Sequence, residues 1–564
     1  MSTPTTQPKL SGPELTKLQS KHLRGTVREE LDNDLTYFSK SSIAVLKFHG
    51  VYQQDDRDVR KQTRERVYTC MARVGIPGGI ATGNQYLALD ALADNIGDGS
   101  LRITTRQGIQ YHYVGKKDLW DLIHGINECG LGTFAACGDV VRAVISDPAP
   151  ILNAERQDIY PYVRLLAREL KPKTQAYVEL WIDGEKGASV EPADESEPLY
   201  GDTYLPRKFK VGFAYPGENT TDIYANDVGV VPHFENGKLE GFTILAGGGM
   251  GQSNGVKGSF PRTSDPICFV QPEDLLDVVK AIITIHRDFG NRENRKLARL
   301  KYIVHDWGVA RFREEVESRM GKALGDPKPL HWHRADDYLG WHNQVDDLYF
   351  LGVRVVSGRI KDADGVNMRT ALREVVKQIG CGIRFTVQQN VYLTDIPGAR
   401  RSDVDAILAE HGVRPASELP PVLRHSMACP ALPTCGLAIT ESERVLPQVA
   451  SYLEQELRDL GMGEEVIHVR TTGCPNGCAR PYTAEVGIVG QSVGLYSLYL
   501  GGSPLSTRLA QLYTHNVKEE RIGEVLRPLF ASFREERESS EAFGDYCHRV
   551  GLESLQARFL EAAS

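Results

Sequence analysis

The segment LRITTRQGIQYHYV, residues 101–114, is echoed 282 positions later by IRFTVQQNVYLTDI, residues 383–396. In both segments the even-numbered positions are mainly polar and the odd-numbered ones mainly apolar, and this period of two predicts a β-strand with one buried face. A helical pattern follows each segment, DLWDLIHGINECG after the first and RRSDVDAILAEHG after the second. The matched positions are Arg102, Thr104, Arg106 and Gly108 in one copy and Arg384, Thr386, Gln388 and Asn390 in the other.

A second, weaker echo lies downstream. The segment ANDVGVV (225–231) followed by LAGGG (245–249) resembles AEVGIVG (484–490) followed by LYLGG (498–502). The chain therefore consists of two related halves, and the repeat is far longer than a solenoid period. We expect a duplicated fold with an approximate two-fold axis, and sites where the halves meet, because domain interfaces favour pockets. The alternative is two unrelated, half-exposed strands whose polar faces meet water.

The composition is that of an ordinary globular protein. Of the 564 residues, 41% are hydrophobic and 25% charged, with a formal charge of −8, and such a length corresponds to about three to five domains. The mild acidity argues against a nucleic-acid-binding protein. No apolar stretch reaches the ~18 residues that cross a membrane, and MSTPTTQPKLSGPELTKLQSK lacks the apolar core of a secretory signal. We expect a cytoplasmic protein whose first ~20 residues are disordered or become ordered on binding a partner.

Four of the ten cysteines form two close pairs. Cys429 and Cys435 lie in ACPALPTCG, and Cys474 and Cys478 lie in TGCPNGCAR, further along the chain. Four thiolates suit either a tetrahedral zinc or an iron–sulfur cluster. The gap within the first pair is loose for zinc, so the spacing favours a cluster over zinc and over coincidence. The Asn476-Gly477 turn favours a positive φ, which points both sulfurs the same way. The other cysteines are scattered and typical of small buried hydrophobes.

Basic side chains are grouped at strand spacing in this acidic protein. If YLPRKFK (204–210) is extended, Lys208 and Lys210 point the same way. Arg73 and Arg142 stand near glycine-rich or turn-like sequence, CMARVGIPGG and CGDVVRAV. Grouped Arg and Lys predict an anionic ligand, whereas the alternatives are a charged edge strand for the lysines and a structural histidine on the repeat strand. The polar face of that strand carries Arg102, Thr104, Arg106, Gln110 and His112.

Together these motifs closely resemble one family. ACPALPTCG and TGCPNGCARPY, with RITTRQGIQYH, LPRKFK, FHGVYQQDDRD and LAGGGMG, resemble the sulfite and nitrite reductases that carry siroheme and a [4Fe-4S] cluster, and within them the assimilatory sulfite reductase hemoproteins. The resemblance runs from about Leu23 to Phe559. It implies an α+β, internally duplicated three-domain fold with pseudo-two-fold symmetry. The expected parts are an N-terminal extension (1–65), a duplicated ferredoxin-like domain (66–135 plus 336–416), a first siroheme-binding half (136–335) and a second half carrying the cluster (417–564).

The resemblance also implies roles for individual residues. The cluster ligands would be Cys429, Cys435, Cys474 and Cys478, and Cys478 would also bridge to the siroheme iron. The catalytic cations that bind sulfite and deliver protons would be Arg73, Arg142, Lys208 and Lys210. The cofactor-binding residues would be Arg102, Thr104, Arg106, Gln110, His112 and Asn476, with Arg102 and Arg106 taking siroheme carboxylates rather than sulfite.

The implied reaction is the six-electron reduction of sulfite to hydrogen sulfide. Nitrite reductases of the superfamily tend to have Asn in place of Lys210, so Lys-Phe-Lys indicates the sulfite branch, although CGDVVRAV departs from the usual Asn-Arg-Asn around Arg142. GGGMG (247–251) is a poor dinucleotide fingerprint, so the chain should not oxidise NAD(P)H by itself. HLRGTVREELDNDLT resembles subunits fed by an NADPH-oxidising flavoprotein, whereas YLGWHNQ and CARPY resemble ferredoxin-dependent enzymes. A different class remains open, a non-catalytic scaffold whose cysteines hold zinc and whose basic face binds an anionic partner.

Overall fold

The structure is a computed structural model of the 564-residue chain. It describes residues 10–152, 157–173, 179–182, 185–189, 196–253 and 255–560. In these segments the strands, numbered in chain order, are β1 (Val51–Asp55), β2 (Tyr68–Val74), β3 (Ile80–Ala81), β4 (Leu101–Ile103), β5 (Ile109–Val114), β6 (Glu179–Ile182), β7 (Glu185–Ser189), β8 (Val211–Phe213), β9 (Gly217–Glu218), β10 (Val228–Glu235), β11 (Lys238–Ala246), β12 (Asp265–Val270), β13 (Trp332–Arg334), β14 (Gly340–Val345), β15 (Leu348–Val353), β16 (Arg359–Ile360), β17 (Asp362–Ala363), β18 (Val366–Asn367), β19 (Gly382–Phe385), β20 (Val391–Pro397), β21 (Ser426–Ala428), β22 (Val469–Thr472), β23 (Val486–Ser492), β24 (Leu495–Leu500) and β25 (Gln511–Lys518).

The α-helices lie between and around these strands. None of the described helices combines the length and the hydropathy that crossing a bilayer requires. In chain order they are α1 (Gly12–Leu18), α2 (Val27–Leu31), α3 (Lys40–Leu46), α4 (Arg57–Thr63), α5 (Gly83–Asn95), α6 (Leu119–Glu128), α7 (Tyr160–Glu169), α8 (Leu275–Phe289), α9 (Leu300–Trp307), α10 (Val309–Met320), α11 (Met368–Ile379), α12 (Arg401–Glu410), α13 (Pro421–Arg424), α14 (Leu446–Asp459), α15 (Ile522–Glu536), α16 (Phe543–Val550) and α17 (Leu552–Phe559).

The repeated segments form strands and helices as predicted. Residues 101–114 contain β4 and β5, residues 383–396 lie in β19 and β20, and the helical patterns that follow form α6 and α12. The expectation of a single buried face is wrong, because Arg102, Gln110 and His112 are as buried as their apolar neighbours. The polar face packs against the C-terminal part of the chain, where the Arg102 guanidinium contacts Glu443.

Two five-stranded sheets exchange a strand. Their orders are β1-β2-β5-β4-β16 and β14-β15-β20-β19-β3, so β3 leaves the first sheet to pair with β19, and β16 leaves the second to pair with β4. The turn before each exchanged strand needs glycine. Gly79 has φ +73° and a Cβ there would lie 2.1 Å from the Phe385 carbonyl oxygen, and Gly358 has φ +72° with the Ile103 carbonyl oxygen at 2.5 Å. The two crossings are therefore built alike, as a two-fold relation requires.

The second echo forms a second pair of related sheets. One has the order β12-β11-β10-β8 and the other β21-β22-β23-β24-β25. In each, a strand pairs in parallel with the echoed strand, with Val228 opposite Val211 in one sheet and Val486 opposite Val469 in the other. Val211 and Val469 are separated by the same number of residues as Val228 and Val486. The duplication therefore includes the register in which these strands pair.

Equivalent residues of the two halves meet in the interior. Asp222 and Arg480 are 258 residues apart, which is the offset of the second echo, both have positive φ (+47° and +56°), and each directly precedes a short 3₁₀ turn. They form a buried ion pair with each other, and Arg470 Nη1 adds a contact of 2.8 Å to Asp222 Oδ2. Because equivalent positions can touch only close to a symmetry axis, this ion pair marks the approximate two-fold axis.

The apolar core has two main parts. One extends through residues between Leu23 and Val413, and the other is formed by residues between Val422 and Leu555, chiefly from α14, α15 and the last sheet. The domain boundaries expected from the sequence stay a prediction.

The N-terminal segment is ordered from residue 10 onward. The expectation of disorder is wrong for residues 10–20, because α1 docks through a buried Lys17 that donates to the Leu205 carbonyl at 2.7 Å, and through Glu14, which pairs with Arg292. The rest of that expectation concerns residues 1–9, outside the described residues.

Candidate functional site

The two cysteine pairs meet because two parallel strands end side by side. In β21 and β22, Ala428 lies opposite Thr471, so both chains leave the sheet at the same edge. Cys429 is the next residue after β21, and its N–H donates to the Thr471 carbonyl at 3.3 Å. The N–H of Gly473, which precedes Cys474, donates to Cys429 Sγ at 3.4 Å.

Tight turns bring back the second cysteine of each pair. The Cys435 N–H donates to the Ala431 carbonyl at 2.9 Å, which closes the loop after Cys429. Gly477 has φ +60°, as the Asn-Gly sequence predicts, and Asn476 Nδ2 donates to Cys474 Sγ at 3.4 Å. The Cys478 carbonyl accepts a hydrogen bond of 3.2 Å from Thr105 Oγ1, in the loop between β4 and β5. The last cysteine thus lies beside the first repeat strand.

The four thiols form one electrostatic group. Burial first, and then the neighbouring Cys478, raises the pKa of Cys474 to about 11 and also raises the pKa values of Cys429 and Cys435. Four thiolates this close would repel one another, so the set requires a cationic centre to hold it deprotonated. Tetrahedral zinc at 2.3 Å would bring the sulfurs to about 3.8 Å from one another. Among the described residues no three cysteines bring their sulfurs within 4.8 Å of one another. The spacing therefore fits a larger inorganic cluster better than a single zinc.

A row of polar side chains crosses the first exchanged sheet. Arg73 lies opposite Gln110, Gln110 opposite Arg102, and Arg102 opposite Arg359, so the four share one face of four adjacent strands. Sequence reasoning placed the first three at the site but missed Arg359, because this residue belongs to the other half and arrives only through the exchanged strand β16.

The equivalent row in the second sheet lacks these charges. There Gly352 lies opposite Tyr392, Tyr392 opposite Arg384, and Arg384 opposite Ile80. Three arginines and a glutamine are thus replaced by one arginine and uncharged residues. The duplicated fold carries this cationic face in one copy.

Lys208 and Lys210 lead into β8 from an extended segment. Phe209 pairs in parallel with Val141, and the Arg142 N–H donates to the Phe209 carbonyl at 2.9 Å. Burial first, and then Arg142, lowers the pKa of Lys208 well below its usual value, while Cys478 raises it. Burial first, and then Lys208, does the same to the pKa of Lys210. In the described part of the chain neither ammonium has a hydrogen-bond or carboxylate partner, so both are available to a ligand.

Tyr52 and Cys137 connect Arg73 to Arg142. Arg73 Nη1 donates to Cys137 Sγ at 2.9 Å, and its guanidinium lies 6.0 Å from the centre of the Tyr52 ring. Burial lowers the pKa of Arg142, but the neighbouring Tyr52, Cys137 and Asp139 together raise it by more. The four predicted catalytic cations therefore form one continuous group, from Arg73 to Lys210. Sequence reasoning missed both linking residues, since it treated Cys137 as an ordinary buried hydrophobe.

Arg102 and Arg106 make extensive contacts with the protein itself. Arg102 Nε donates to Glu443 Oε2 at 2.9 Å, and Nη2 donates to the carbonyl of Ala428, next to Cys429, at 3.0 Å. Arg106 donates to Asn226 Oδ1 at 2.9 Å and to the Val211 carbonyl at 2.8 Å. Burial first, and then Arg142, lowers the pKa of Arg106 to about 9. Both arginines therefore hold the frame of the site, and their binding of siroheme carboxylates stays a prediction.

The predicted cofactor residues Thr104, Gln110 and His112 lie in the hairpin formed by β4 and β5. Thr104 Oγ1 accepts the N–H groups of Arg106 at 3.2 Å and Gly108 at 3.1 Å, which closes the β4–β5 turn. Gln110 Nε2 donates to Met71 Sδ at 3.3 Å. Both ring nitrogens of His112 are buried without a hydrogen-bond partner among the described residues. An imidazole with unused nitrogens beside the arginines of this face fits a carboxylate-rich group bound against it.

Four clustered thiols beside a half-buried group of cations are the donor set of an iron–sulfur redox protein with an anionic ligand. The description "Nitrite/Sulfite reductase ferredoxin-like half domain" matches residues 62–129 and 342–411, and "Nitrite and sulphite reductase 4Fe-4S domain" matches residues 164–324. The latter segment contains Cys268 but none of the four paired cysteines, which lie in its repeat. The chain belongs to the nitrite and sulfite reductase family.

Curated relatives match almost the whole chain. The chain is 44% identical to a sulfite reductase [ferredoxin] of Synechococcus elongatus, over 98% of this chain and 92% of the relative. It is 40% identical to a sulfite reductase [NADPH] hemoprotein beta-component of Geobacillus kaustophilus, over 95% of both chains. The structure of the Mycobacterium tuberculosis NirA protein has the same fold, with a TM-score of 0.79 at 24% identity, over 97% of this chain and 98% of that one. The duplicated α+β fold expected from the sequence is confirmed.

Proposed function

We propose that the protein is an assimilatory sulfite reductase, which reduces sulfite to hydrogen sulfide with six electrons. One observation carries the proposal: the half-buried, unpaired ammonium groups of Lys208 and Lys210 lie in one electrostatic group with the cysteine set, since Lys208 interacts with Cys478 and Lys210 with Lys208. An anion bound by these lysines is thereby placed beside a redox centre held by the cysteines. The names of the full-length relatives, which are sulfite reductases, support the same reaction.

The four cations suit a dianion whose oxygens must leave. Lys208, Lys210, Arg73 and Arg142 would bind the sulfite oxygens and polarise the S–O bonds where negative charge develops. Burial lowers the pKa values of both lysines, so each ammonium gives up a proton more readily than a solvated lysine does. We assign the lysines as proton donors to the departing oxygens, and the arginines as the fixed charges.

The donor set fits a siroheme and a [4Fe-4S] cluster. Cys429, Cys435, Cys474 and Cys478 would hold the cluster, with Cys478 also on the siroheme side. When bound, these groups supply the iron for sulfite and the relay for single electrons. The chain's own part is to hold four thiolates together, to keep the cations in place and to shield the half-buried lysines from most of the solvent.

We propose that electrons arrive from a separate protein, either a ferredoxin or a flavoprotein subunit. Relatives of both types, one named for ferredoxin and others for NADPH, match the chain at similar identity. All ten cysteines are free, which is typical of a reducing compartment, and we place the enzyme in the cytoplasm. Assays with reduced ferredoxin, and with NADPH plus the flavoprotein, would separate the donors, since only the physiological one should support turnover at low concentration.

The decisive test is the spectrum and activity of the purified protein. We expect siroheme absorption, iron and acid-labile sulfide, and sulfite-dependent oxidation of reduced methyl viologen. Cys478→Ser should alter the haem spectrum and abolish turnover, whereas Cys268→Ser, a change to a buried cysteine outside the quartet, should leave both unchanged. A colourless protein that contains zinc would establish the scaffold alternative instead, and an unaltered Cys478→Ser enzyme would remove the bridging role.

Nitrite is the second candidate substrate, since the matched family descriptions name both anions. The adjacent cations at 208 and 210 favour sulfite, because a second positive charge stabilises a dianion more than a monoanion.

A further inference from the structure

The duplication places a counterpart of the cationic site on the other side of the axis. By the parallel pairing of their strands, Lys210 corresponds to His468 and Asp227 to Glu485, both by the offset that relates Asp222 to Arg480. The local contact is conserved too: the Lys210 N–H donates to Asp227 Oδ2 at 2.9 Å, and the His468 N–H donates to Glu485 Oε2 at 3.0 Å.

The positions of the two arginines proposed to bind sulfite, Arg142 and Arg73, also have counterparts in the second half of the chain. Arg142 corresponds to Arg424 and Arg73 to Gly352, as the strand registers of the two halves show. Together with His468, these two residues line a cavity of about 1150 Å³. The position equivalent to Lys210 thus holds a histidine, and that histidine lines a cavity.

Three potential metal ligands converge on the wall of this cavity. Asp336 Oδ1 lies 3.0 Å from His425 Nδ1 and 2.7 Å from His468 Nε2. One ligand atom from each of the three lies within 4.8 Å of the other two, and among the described residues this is the only such group of three. The two imidazole rings stand 72° apart with centres separated by 5.4 Å, so they approach the carboxylate from different directions.

We propose that Asp336, His425 and His468 bind one divalent transition-metal ion such as Zn²⁺. Two imidazole nitrogens and one carboxylate oxygen are a ligand set that suits zinc rather than magnesium or calcium. Glu485 Oε2 lies 2.7 Å from His468 Nδ1, and a carboxylate in this position orients a metal-bound histidine and directs its other nitrogen to the ion. The cavity beside the group leaves room for water as a fourth ligand.

The ion would join three separate segments. Asp336 follows β13, His425 directly precedes β21 and His468 directly precedes β22, so the site connects the segment between β13 and β14 to the sheet that carries the cysteines. In the first half, Ala143 and Lys210 occupy the positions of His425 and His468, and neither can bind a metal there. The two halves have therefore diverged, one cavity for an anion and the other for a cation.

The first test measures zinc in the complete enzyme. The holoprotein is treated with EDTA, dialysed against Zn²⁺ and then against buffer, and its zinc and iron are counted per chain. X-ray absorption at the zinc edge then identifies the ligands. We expect one zinc per chain, nitrogen and oxygen neighbours at about 2.0–2.1 Å with imidazole scattering, and unchanged iron. Absence of retained zinc, or a sulfur shell at about 2.3 Å from zinc at the cysteine site, would overturn the proposal.

Two matched variants test the ligands. His425→Gln should lose the zinc, whereas His333→Gln changes an exposed histidine of the same cavity wall, outside the convergent group, and should retain it. Zinc should also raise the thermal midpoint of the wild-type protein and of His333→Gln but not of His425→Gln. Wild-type zinc content in His425→Gln would contradict the assignment. If that variant does not fold, the absorption spectrum of the wild-type protein decides the question.

Discussion

Removal of the Glu443 carboxylate should measurably loosen the contact between the two halves. Glu443 Oε2 accepts from Arg102 Nε at 2.9 Å, and its Oε1 accepts from Arg359 Nε at 2.7 Å. Arg102 belongs to the first half and Arg359 to the strand donated by the second, so one carboxylate pairs with a buried and a half-buried guanidinium group. Glu443→Gln retains the shape of the side chain but leaves Arg102 without a counter-charge and Arg359 with only Asp98, whose Oδ2 lies 3.9 Å from Arg359 Nη1.

The size of the effect follows from the pKa of Glu443. Burial raises this pKa, but Arg102 and then Arg359 outweigh burial and lower it from 4.5 to about 2. A pKa difference of about 2.5 corresponds to about 3 kcal/mol of stability, and the side chain is only 14% exposed, so solvent screens little of it. Because the pKa is lowered on folding, this stability is fully present above pH 4.5 and is lost as the pH falls toward about 2.

The assay is guanidinium unfolding of the anaerobic holoprotein at pH 7, followed by circular dichroism and visible absorption. Glu443→Gln should be less stable than the wild type by about 3 kcal/mol. The control is Glu441→Gln, two residues along the chain from Glu443, which removes a solvent-accessible ion pair to Arg444 and should cost less than about 1 kcal/mol. The difference between Glu443→Gln and the wild type should narrow below pH 4.5. Equal stabilities at pH 7, or a gap that widens in acid, would refute the reasoning.

Three further outcomes are expected. Sulfite turnover should fall as the pH rises through the lowered pKa of Lys208, because the ammonium form donates the proton, and Lys208→Arg should move this fall to higher pH; identical profiles would contradict a proton-donating role. Lys210→Asn should lower kcat/KM for sulfite about tenfold to a hundredfold, the cost of one charge-assisted contact, and lower that for nitrite less; equal losses would remove the argument from charge. Gly79→Ala should destabilise the fold by more than Gly380→Ala, as measured by thermal unfolding, since both glycines have φ +73° but only at position 79 does a Cβ collide with a backbone oxygen, that of Phe385; equal losses would show that the strand crossing tolerates the side chain.

Sequence patterns predicted the local elements well. The period of two in the repeat predicted β4, β5, β19 and β20, and the apolar spacing predicted α6 and α12, because these preferences act over a few residues. The Asn-Gly turn at 476–477 predicted the positive φ of Gly477, because glycine pays no steric penalty there. The spacing of the cysteines favoured a cluster over zinc, which agrees with the separation of the sulfurs in the structure.

The burial of the polar strand face was not predictable from the same patterns. An alternating strand in isolation indicates one face toward water, yet Arg102 and Gln110 lie inside the protein. The burial of Arg102 depends on Glu443, which lies 341 residues further along the chain, and no local pattern encodes such a pairing.

The sequence by itself determined the duplication, the elements that repeat and the residue types able to hold a cluster and an anion. Each of these can be recognised from local residue patterns and from their recurrence along the chain. Only the tertiary structure decided which copies of those residues act together. Arg359 reaches the first sheet through an exchanged strand, and Cys429 and Cys474 meet because two parallel strands end at one edge. The physical reason is that strand pairing between distant segments is settled by the packing of the whole chain, so the same repeated pattern becomes a cationic pocket on one side of the axis and a histidine–carboxylate cluster on the other.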